Sequence, residues 1–253
     1  MIKFEHIYKS LGGKTVLEDI NFEIEKGETF VIVGPSGVGK SVTLKHMVRL
    51  LTPDRGKVMV GNDCISEASG TELERIRERF GYLFQGGALL AWLDIFENVA
   101  LPLREKTKMS EQEIRKRVGY VLDLVGLLQD ANKSPAEISG GMRKRAGLAR
   151  AIVMRPEIVL YDEPTSGLDP VTSRSIDTLI INMRRELGVT SVVVTHDLQS
   201  ALSIGTRIAM LFGGKIIELS TPSQFIKSEK PEIINFLESQ YITRKVSLED
   251  IKK

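Results

Sequence analysis

The sequence predicts an α/β protein with a parallel sheet flanked by helices, an antiparallel β subdomain near the N-terminus and an inserted helical subdomain. Three observations predict this class. Short apolar runs at residues 29–33, 158–161 and 192–195 have the length and composition of buried strands. Apolar and polar residues alternate at 20–24, which is typical of an antiparallel strand. From about residue 85 to 156 the pattern becomes mainly helical.

The elements are justified in chain order. Strands at 20–24 and 57–60 are each bordered by a turn that contains glycine. In the insertion, apolar residues at helical spacing predict a helix through Ile114, Val118, Val121, Leu122 and Val125. A later helix has its apolar face at Ile176, Leu179, Ile180, Met183 and Leu187. Gly188 is predicted to end that helix, and residues 207–211 and 216–219 to form a hairpin.

A phosphate-binding pattern follows the first buried run and opens a helix. The pattern G-x-x-x-x-G-K-[ST] is formed by Gly34, Pro35, Ser36, Gly37, Val38, Gly39, Lys40 and Ser41. Its glycines let backbone N–H groups approach a phosphate chain, and the helix N-terminus adds partial positive charge. Lys40 is predicted to neutralise the β and γ phosphates of ATP, and the Ser41 hydroxyl to bind Mg²⁺. The expected core is therefore that of a P-loop NTPase of the RecA-like type.

Two acidic residues end the second buried run. A carboxylate at the end of a buried strand is costly in free energy unless it has a partner. Asp162 is predicted to bind Mg²⁺ beside the phosphates, and Glu163 to act as general base on the attacking water. The alternative, two acids at a solvated turn, loses weight because a phosphate-binding pattern precedes them.

A third segment carries a family resemblance. Its residues are Ile138, Ser139, Gly140, Gly141 and Met142, which resemble the LSGGQ signature of ABC transporter ATPases. The resemblance covers nearly the whole chain. It implies that Ser139, Gly140 and Gly141, at a helix N-terminus, bind the γ-phosphate held by a partner subunit. It therefore also implies a head-to-tail homodimer with ATP between the chains.

The resemblance also implies roles for three further residues. Gln85 follows an apolar run and would contact Mg²⁺ and the attacking water while its loop senses the membrane partner. Asp169 belongs to a loop that crosses the dimer interface, and His196 is the switch histidine that contacts the γ-phosphate.

Two positions depart from the family pattern. Leu11 stands where many relatives have an aromatic residue that stacks on adenine, and it offers apolar contact without stacking. Tyr8 is the nearest aromatic residue, and it is either a substitute or a packed strand residue. Met142 replaces the usual glutamine of the signature. Activity is expected to survive this change because Ser139 and the backbone donors hold the γ-phosphate.

The domain prediction is one ABC ATPase domain over residues 1–253. Residues 1–84 and 157–227 form the nucleotide-binding core with its β subdomain, and 85–156 form the helical subdomain with the signature. The tail, 228–253, is either a frayed amphipathic end, which we favour, or a contact for a partner subunit. Apolar residues between Gln85 and Asn98 are expected either to receive a coupling helix of the permease or to lie in the core.

Composition limits the other classes of function. The chain has 35 Lys and Arg against 33 Asp and Glu, a net charge of +2, which gives no electrostatic reason to expect a nucleic-acid partner. The basic cluster 143–145 is read as a solvated helix face. One cysteine excludes an intrachain disulfide, and no apolar stretch approaches the roughly 20 residues that span a bilayer. We therefore expect a cytoplasmic protein that lies at the inner face of the cytoplasmic membrane through a permease.

Subgroup features narrow the family further. Met142 with the basic cluster, residues 83–89 and residues 100–105 resemble the ATPases of the Mla phospholipid system and related MCE-associated ATPases. This resemblance implies phospholipid transport with a permease and an MCE-domain protein as partners, and it makes a STAS-domain regulator a further candidate partner. The alternatives are the ATPase of a small-solute importer and a non-transport ABC ATPase. The latter generally carries paired nucleotide domains or long coiled-coil insertions, which this sequence lacks.

Overall fold

Ten strands and nine α-helices, with one short 3-10 helix at Leu128–Asp130, make up residues 1–242, the part of the chain that the computed structural model describes. The strands are β1 (Ile2–Leu11), β2 (Lys14–Ile24), β3 (Thr29–Val33), β4 (Arg55–Val60), β5 (Asp63–Cys64), β6 (Phe80–Leu83), β7 (Ile158–Asp162), β8 (Thr190–Thr195), β9 (Arg207–Phe212) and β10 (Lys215–Ser220). The helices are α1 (Lys40–Met47), α2 (Gly70–Arg77), α3 (Ile95–Lys106), α4 (Glu111–Leu124), α5 (Gly140–Ile152), α6 (Pro170–Leu187), α7 (Leu198–Ile204), α8 (Pro222–Ile226) and α9 (Pro231–Glu238).

The central sheet has six strands in the order β10-β9-β3-β8-β7-β6. All neighbouring pairs are parallel except β9 and β10, which form the predicted antiparallel hairpin. Every residue of β3, β7 and β8 is buried, because apolar layers cover both faces of a parallel sheet. The predicted α/β class, with its P-loop NTPase core, is confirmed.

A second, antiparallel sheet lies at the N-terminal part of the chain, with strand order β2-β1-β4-β5. Its inner face shares one apolar cluster with a face of the central sheet. The rings of Phe4 and Phe22 stack with centroids 4.5 Å apart, and those of Phe22 and Phe30 lie 5.2 Å apart. These aromatic contacts join the two sheets, because Phe4 and Phe22 belong to the antiparallel sheet and Phe30 to β3.

The helices α3, α4 and α5 lie in the chain between β6 and β7. Ser110 and Glu113 form a capping box at the start of α4, which explains where this helix begins. The predicted apolar face of α4 is buried, from Ile114 through Val118 to Leu122. The division of the chain into subdomains at residues 84, 156 and 227 stays a prediction.

The C-terminal part of the described chain is helical, and the expectation of a frayed end from residue 228 is wrong there. Pro231 occupies the first turn of α9, where its missing N–H costs nothing. Ile233 and Leu237 on α9 are almost fully buried in the larger apolar cluster. Burial of two large side chains is enough to fix a short helix that its own propensity would not hold. Residues 243–253, the rest of the predicted tail, lie outside the described residues.

None of the helices within residues 1–242 has the length and apolar character needed to cross a lipid bilayer.

Candidate active site

The phosphate-binding pattern forms the loop between β3 and α1. Two of its glycines are required by the backbone. A Cβ on Gly34 would lie 2.2 Å from the carbonyl oxygen of Leu211, so no other residue fits there. Gly39, the N-cap of α1, has a φ of 112°, and a Cβ would lie 2.9 Å from a methyl group of Val16. The loop therefore packs tightly against the sheet and leads directly into a helix N-terminus.

Lys40 begins α1 directly after this loop, and it is almost fully buried. Its Nζ donates hydrogen bonds to the carbonyl oxygens of Gly34, at 2.9 Å, and Pro35, at 3.0 Å. The same Nζ is 3.5 Å from Oε1 of Glu163. The phosphate-binding pattern thus meets the acidic pair at the buried ammonium group of Lys40, although the two lie more than 120 positions apart in the chain.

Ser41 and Asp162 also meet. The Ser41 hydroxyl donates to Oδ1 of Asp162 at 2.6 Å, and the Tyr82 hydroxyl donates to Oδ2 at 3.3 Å. Burial beside the Asp162 carboxylate raises the pKa of Tyr82 far above its usual value, so the phenol stays a proton donor. A hydroxyl and a carboxylate side by side are the oxygen ligands that Mg²⁺ prefers. Within residues 1–242 no group of three or more His, Cys, Asp or Glu side chains could hold a metal ion.

Glu163 is held in an unusual backbone conformation directly after β7. Its φ is 50°, in the left-handed region that non-glycine residues rarely occupy. Its N–H donates to the Val194 carbonyl at 2.9 Å, and its own carbonyl accepts from Ser166 N, Ser166 Oγ and Lys144 Nζ. Because the backbone is bonded on both sides, the strained conformation is fixed and the carboxylate is aimed back at the phosphate loop.

The Glu163 carboxylate also contacts the predicted switch histidine. Its Oε2 is 2.7 Å from Nδ1 of His196 and 3.3 Å from the backbone nitrogen of the same residue. The His196 side chain is half exposed, whereas that of Glu163 is only 11% exposed. The Glu163 carboxylate is therefore buried, and the side of the cluster that is open to solvent is the one where His196 lies.

The sequence reasoning missed Lys144 in this cluster. The interpretation of residues 143–145 as a solvated helix face holds for Arg143, which is exposed, and is wrong for Lys144, which is only 5% exposed. Its Nζ donates to the Glu163 carbonyl at 3.0 Å, and to the carbonyl and hydroxyl of Ser166 at 2.6 and 3.1 Å. Burial lowers the pKa of Lys144 to about 8, and the nearby Glu163 charge opposes this shift. Helical spacing could have indicated that Lys144 is buried, since it lies four residues before the buried Leu148.

The match to a known family decides the identity of this site. The family model described as ABC transporter matches residues 17–166, more than half of the chain. This chain is an ABC transporter ATPase subunit. It shares 43% identity over 241 residues with the probable ribonucleotide transport ATP-binding protein mkl of Mycobacterium leprae, covering 95% of this chain and 70% of that protein.

Two further comparisons support the assignment. This ABC ATPase is 36% identical to the intermembrane phospholipid transport system ATP-binding protein MlaF of Haemophilus influenzae, over 95% of this chain and 91% of that protein. It also resembles the dimeric ATP-binding cassette MJ0796 in a post-hydrolysis state bound to ADP and Pi. That match has a TM-score of 0.81 and 36% identity, over 88% of this chain and 99% of that chain. The family resemblance seen in the sequence is confirmed, and ATP hydrolysis is the activity of this subunit.

Four predicted site residues of this ABC ATPase lie apart from the Lys40 cluster in their contacts. Ser139 is the N-cap of α5 and accepts from the Met142 N–H, and Asp169 is the N-cap of α6. Leu11 is 41% exposed at the end of β1. Gln85 is exposed, and its side chain makes no hydrogen bond within the described part of the chain. Their predicted roles toward ATP, Mg²⁺ and a partner subunit stay predictions.

One glycine of the signature, Gly141, has a packing reason of its own. A Cβ on Gly141 would lie 2.5 Å from Cγ2 of Thr172 on α6, so the start of α5 lies close against α6. The hydroxyl of Thr172 in turn donates to the carboxylate of Asp169 at 2.6 Å. The signature and the Asp169 loop are therefore neighbours, which places two of the predicted dimer-facing segments on one part of the surface.

Proposed function

We propose that this chain is the ATP-hydrolysing subunit of a membrane transporter that moves phospholipid, and that two copies work head to tail on a permease. The observation that carries the ATPase chemistry is the meeting of Lys40, Ser41, Asp162, Glu163 and His196 in one cluster. The phospholipid cargo is supported by the similarity to MlaF, which extends over nearly the full length of both proteins.

Each residue of the cluster has a proposed task in hydrolysis. The phosphate loop and Lys40 bind the phosphates of ATP, and the left-handed backbone of Glu163 aims its carboxylate at the attacking water, whose proton it accepts. His196 holds that carboxylate in place and faces the γ-phosphate. Ser41, Asp162 and Gln85 are the proposed Mg²⁺ ligands, and the ion supplies charge neutralisation at the β and γ phosphates.

The head-to-tail pair follows from the signature. Ser139, Gly140 and Gly141 open α5, so the backbone N–H groups of its first turn and the helix dipole favour an anion there. We propose that this anion is the γ-phosphate bound to the loop of the second copy, with Asp169 crossing the interface. The dimeric state of MJ0796 supports this arrangement. The phosphate loop of one copy and the signature of the other both attract the same γ-phosphate, and this attraction closes the pair. Hydrolysis removes the attraction.

A permease would dock beside β6. A groove of about 260 Å³ is lined in part by Phe80, Phe84, Pro102 and Met154. Trp92, in the segment after Gln85, is 79% exposed, whereas Ile95 is fully buried, so the apolar residues of this segment divide between surface and core. We propose that this surface receives the permease, which keeps the subunit at the cytoplasmic face of the membrane. An MCE-domain protein and a STAS-domain regulator are the further proposed partners.

The second candidate cargo is a small polar solute. It is favoured by the 43% identity to mkl, a protein named for ribonucleotide transport. Hydrolysis would be the same for both cargoes, because the residues of the cluster recognise ATP alone.

The experiment is purification of the intact transporter through a tag on this chain, from membranes solubilised in mild detergent, with mass spectrometry of the bound proteins and lipids. A permease with an MCE-type protein and phospholipid is the expected result. A permease with a soluble solute-binding protein would replace the lipid proposal by the importer. Absence of any membrane protein would favour a non-transport ATPase. Trp92→Asp tests the docking surface in the same experiment: its side chain is exposed, so the chain is expected to fold, and the variant is expected to lose the permease.

A further inference from the structure

The side chain of Gln240 connects the C-terminal end of the described chain to the switch loop, residues 196–197, which joins β8 to α7. Its Nε2 donates to the carbonyl oxygen of His196 at 2.6 Å, and its Oε1 accepts from the N–H of Leu198 at 2.8 Å. One amide group thus bonds the backbone on both sides of Asp197. Gln240 is 44 positions from His196 in the chain, so no local pattern produces this contact.

The carbonyl of His196 and the N–H of Leu198 lie in a short connection that offers them few other partners. Strand β8 ends at Thr195 and α7 begins at Leu198, so His196 and Asp197 form the whole connection. The first N–H groups of a helix lack an intrahelical acceptor. Asp197 caps Ser200 N through its side chain, and Gln240 supplies the acceptor for Leu198 N. Without Gln240 both His196 O and Leu198 N lose the partner that fixes the path of the loop.

Gln240 is itself well anchored. It follows α9, whose Ile233 and Leu237 are buried in the larger apolar cluster. The N–H of Gln240 and that of Ile242 both bond the Leu237 carbonyl, at 3.1 Å each. The turn after α9 is therefore tied to the core of the protein, and the amide is a fixed point rather than a freely rotating surface group.

We propose that Gln240 is a positioning residue of the ATPase: from the turn after α9 it holds the switch loop so that His196 stays in contact with the Glu163 carboxylate. His196 Nδ1 is 2.7 Å from Glu163 Oε2, so displacement of the loop would break the contact that orients the base. The inference rests on the proposed roles of His196 and Glu163. It assigns to the turn after α9 an effect on hydrolysis that acts through His196.

The test compares Gln240→Met with the unchanged protein in the purified transporter, with ATP hydrolysis as the readout. Methionine keeps the length and volume of glutamine and removes both hydrogen bonds. We expect kcat to fall by about tenfold, since two hydrogen bonds are lost, while KM for ATP changes by less than about twofold. Gln199→Met is the matched control, because Gln199 lies near the same loop, is exposed and is expected to leave kcat unchanged.

A double-mutant cycle with His196→Ala separates positioning from general stability. If Gln240 acts through His196, Gln240→Met has little further effect on kcat once the imidazole is gone. An equal loss of kcat in both backgrounds would overturn the proposal, and so would an unchanged kcat in Gln240→Met alone. Turnover that survives both His196→Ala and Glu163→Gln would instead overturn the proposed function, so the two failures are distinguishable.

Hydrogen exchange at the Leu198 amide provides a second readout that does not depend on turnover. We expect faster exchange in Gln240→Met than in the unchanged protein, because the amide has lost its acceptor. Gln240→Glu retains that acceptor and removes only the donor to His196, so it is expected to keep Leu198 protected. Equal protection of Leu198 in the unchanged protein and in Gln240→Met would contradict the proposed contact.

Discussion

Glu163 shows how one residue combines strain and function. A left-handed backbone at a non-glycine residue costs free energy on the order of 1–3 kcal/mol. Here four backbone hydrogen bonds hold it, and the carboxylate gains contact with Lys40 on one side and His196 on the other. A strained residue whose carboxylate lies against the phosphate loop is well placed to act as a base, because it needs little rearrangement during the reaction.

The prediction for this residue is that Glu163→Gln binds ATP but hardly hydrolyses it. Glutamine has nearly the same shape and leaves the loop and Lys40 in place, but it cannot accept the proton of the attacking water. We expect turnover to fall by roughly 10²–10⁴, the usual contribution of a general base. Single-turnover hydrolysis and equilibrium ATP binding, measured on the same preparation, check this.

Glu157→Gln is the matched control. Glu157 lies just before β7, at its other end, and its exposed carboxylate pairs with Arg79 at 3.1 Å. Exposed ion pairs contribute little to stability, so this variant is expected to hydrolyse ATP normally. Wild-type turnover in Glu163→Gln would remove Glu163 as the base.

Residues of the site were predictable from sequence where a local pattern carries the chemistry. Lys40, Ser41, Asp162 and Glu163 fall in such patterns, and the structure brings them together. Lys144 was not predicted, because its acceptors are a backbone carbonyl and a serine on a distant turn. No residue type marks a backbone acceptor, so contacts of this kind appear only when the chain is folded.

At the scale of elements, helices α6 and α7 meet through a buried acid. Asp177 on α6 is 8% exposed and accepts a hydrogen bond from the Ser200 hydroxyl on α7 at 2.5 Å. Burial raises the pKa of Asp177 to about 7, and the nearby Asp197 charge adds to the rise, although the Ser200 bond opposes it. The carboxyl group is therefore mostly protonated in the folded protein at mildly acid pH.

This gives the free energy of unfolding a predicted dependence on pH. Between the ordinary value of 3.8 and about 7, the folded state binds more protons at Asp177 than the unfolded state. Stability contributed by this group is therefore fully present below about pH 4 and is lost as pH rises to about 7. Asp177→Asn cannot ionise, so we expect its free energy of unfolding, relative to that of the unchanged protein, to rise by about 3 kcal/mol from pH 4.5 to pH 8.

Urea unfolding at several pH values checks this difference. Asp123→Asn is the control, since Asp123 is an exposed carboxylate on α4. Its free energy of unfolding is expected to follow that of the unchanged protein at every pH. A constant difference between Asp177→Asn and the unchanged protein from pH 4.5 to 8 would contradict the shifted pKa.

A whole helix was predictable from the sequence when its apolar residues recurred many times at helical spacing. Helices α4 and α6 were predicted because four or more apolar positions recur at helical spacing. Helix α9 was not, although Ile233 and Leu237 lie one turn apart. Its large apolar residues are Ile233, Ile234, Phe236 and Leu237, and a run this short does not distinguish a packed helix from a frayed end. The larger apolar cluster that receives Ile233 and Leu237 is assembled from distant parts of the chain.

For the whole molecule, the order of the strands decides where the site lies. Residues after β3, β7 and β8 carry the phosphate loop, Glu163 and His196, and these strands are adjacent as β3-β8-β7. Ligands of open parallel sheets bind at the carboxyl ends of such strands. The sequence predicted the strands and their polar ends. It did not predict that β8, the last of the three in the chain, lies between the other two, because that order depends on how the crossover helices pack.

The last prediction concerns the head-to-tail pair. In that arrangement each ATP lies between Lys40 of one copy and Ser139 of the other. Lys40→Ala damages the loop, and Ser139→Asp places a negative charge where the γ-phosphate would bind. Aspartate is also a good N-cap, so the start of α5 is preserved. Each variant alone damages both sites of its own dimer. A mixed dimer has one intact site, formed by Lys40 of the second variant and Ser139 of the first.

We therefore expect the two variants, both also carrying Glu163→Gln to prevent hydrolysis, to dimerise with ATP only when they are mixed. Size-exclusion chromatography with and without ATP measures this directly. The intact interface must then supply enough free energy from one bound ATP to hold the pair, which high protein concentration favours. If Ser139 instead served the ATP of its own chain, every chain in the mixture would keep its damaged site. The mixture would then behave like its parts, and this outcome would exclude the head-to-tail arrangement.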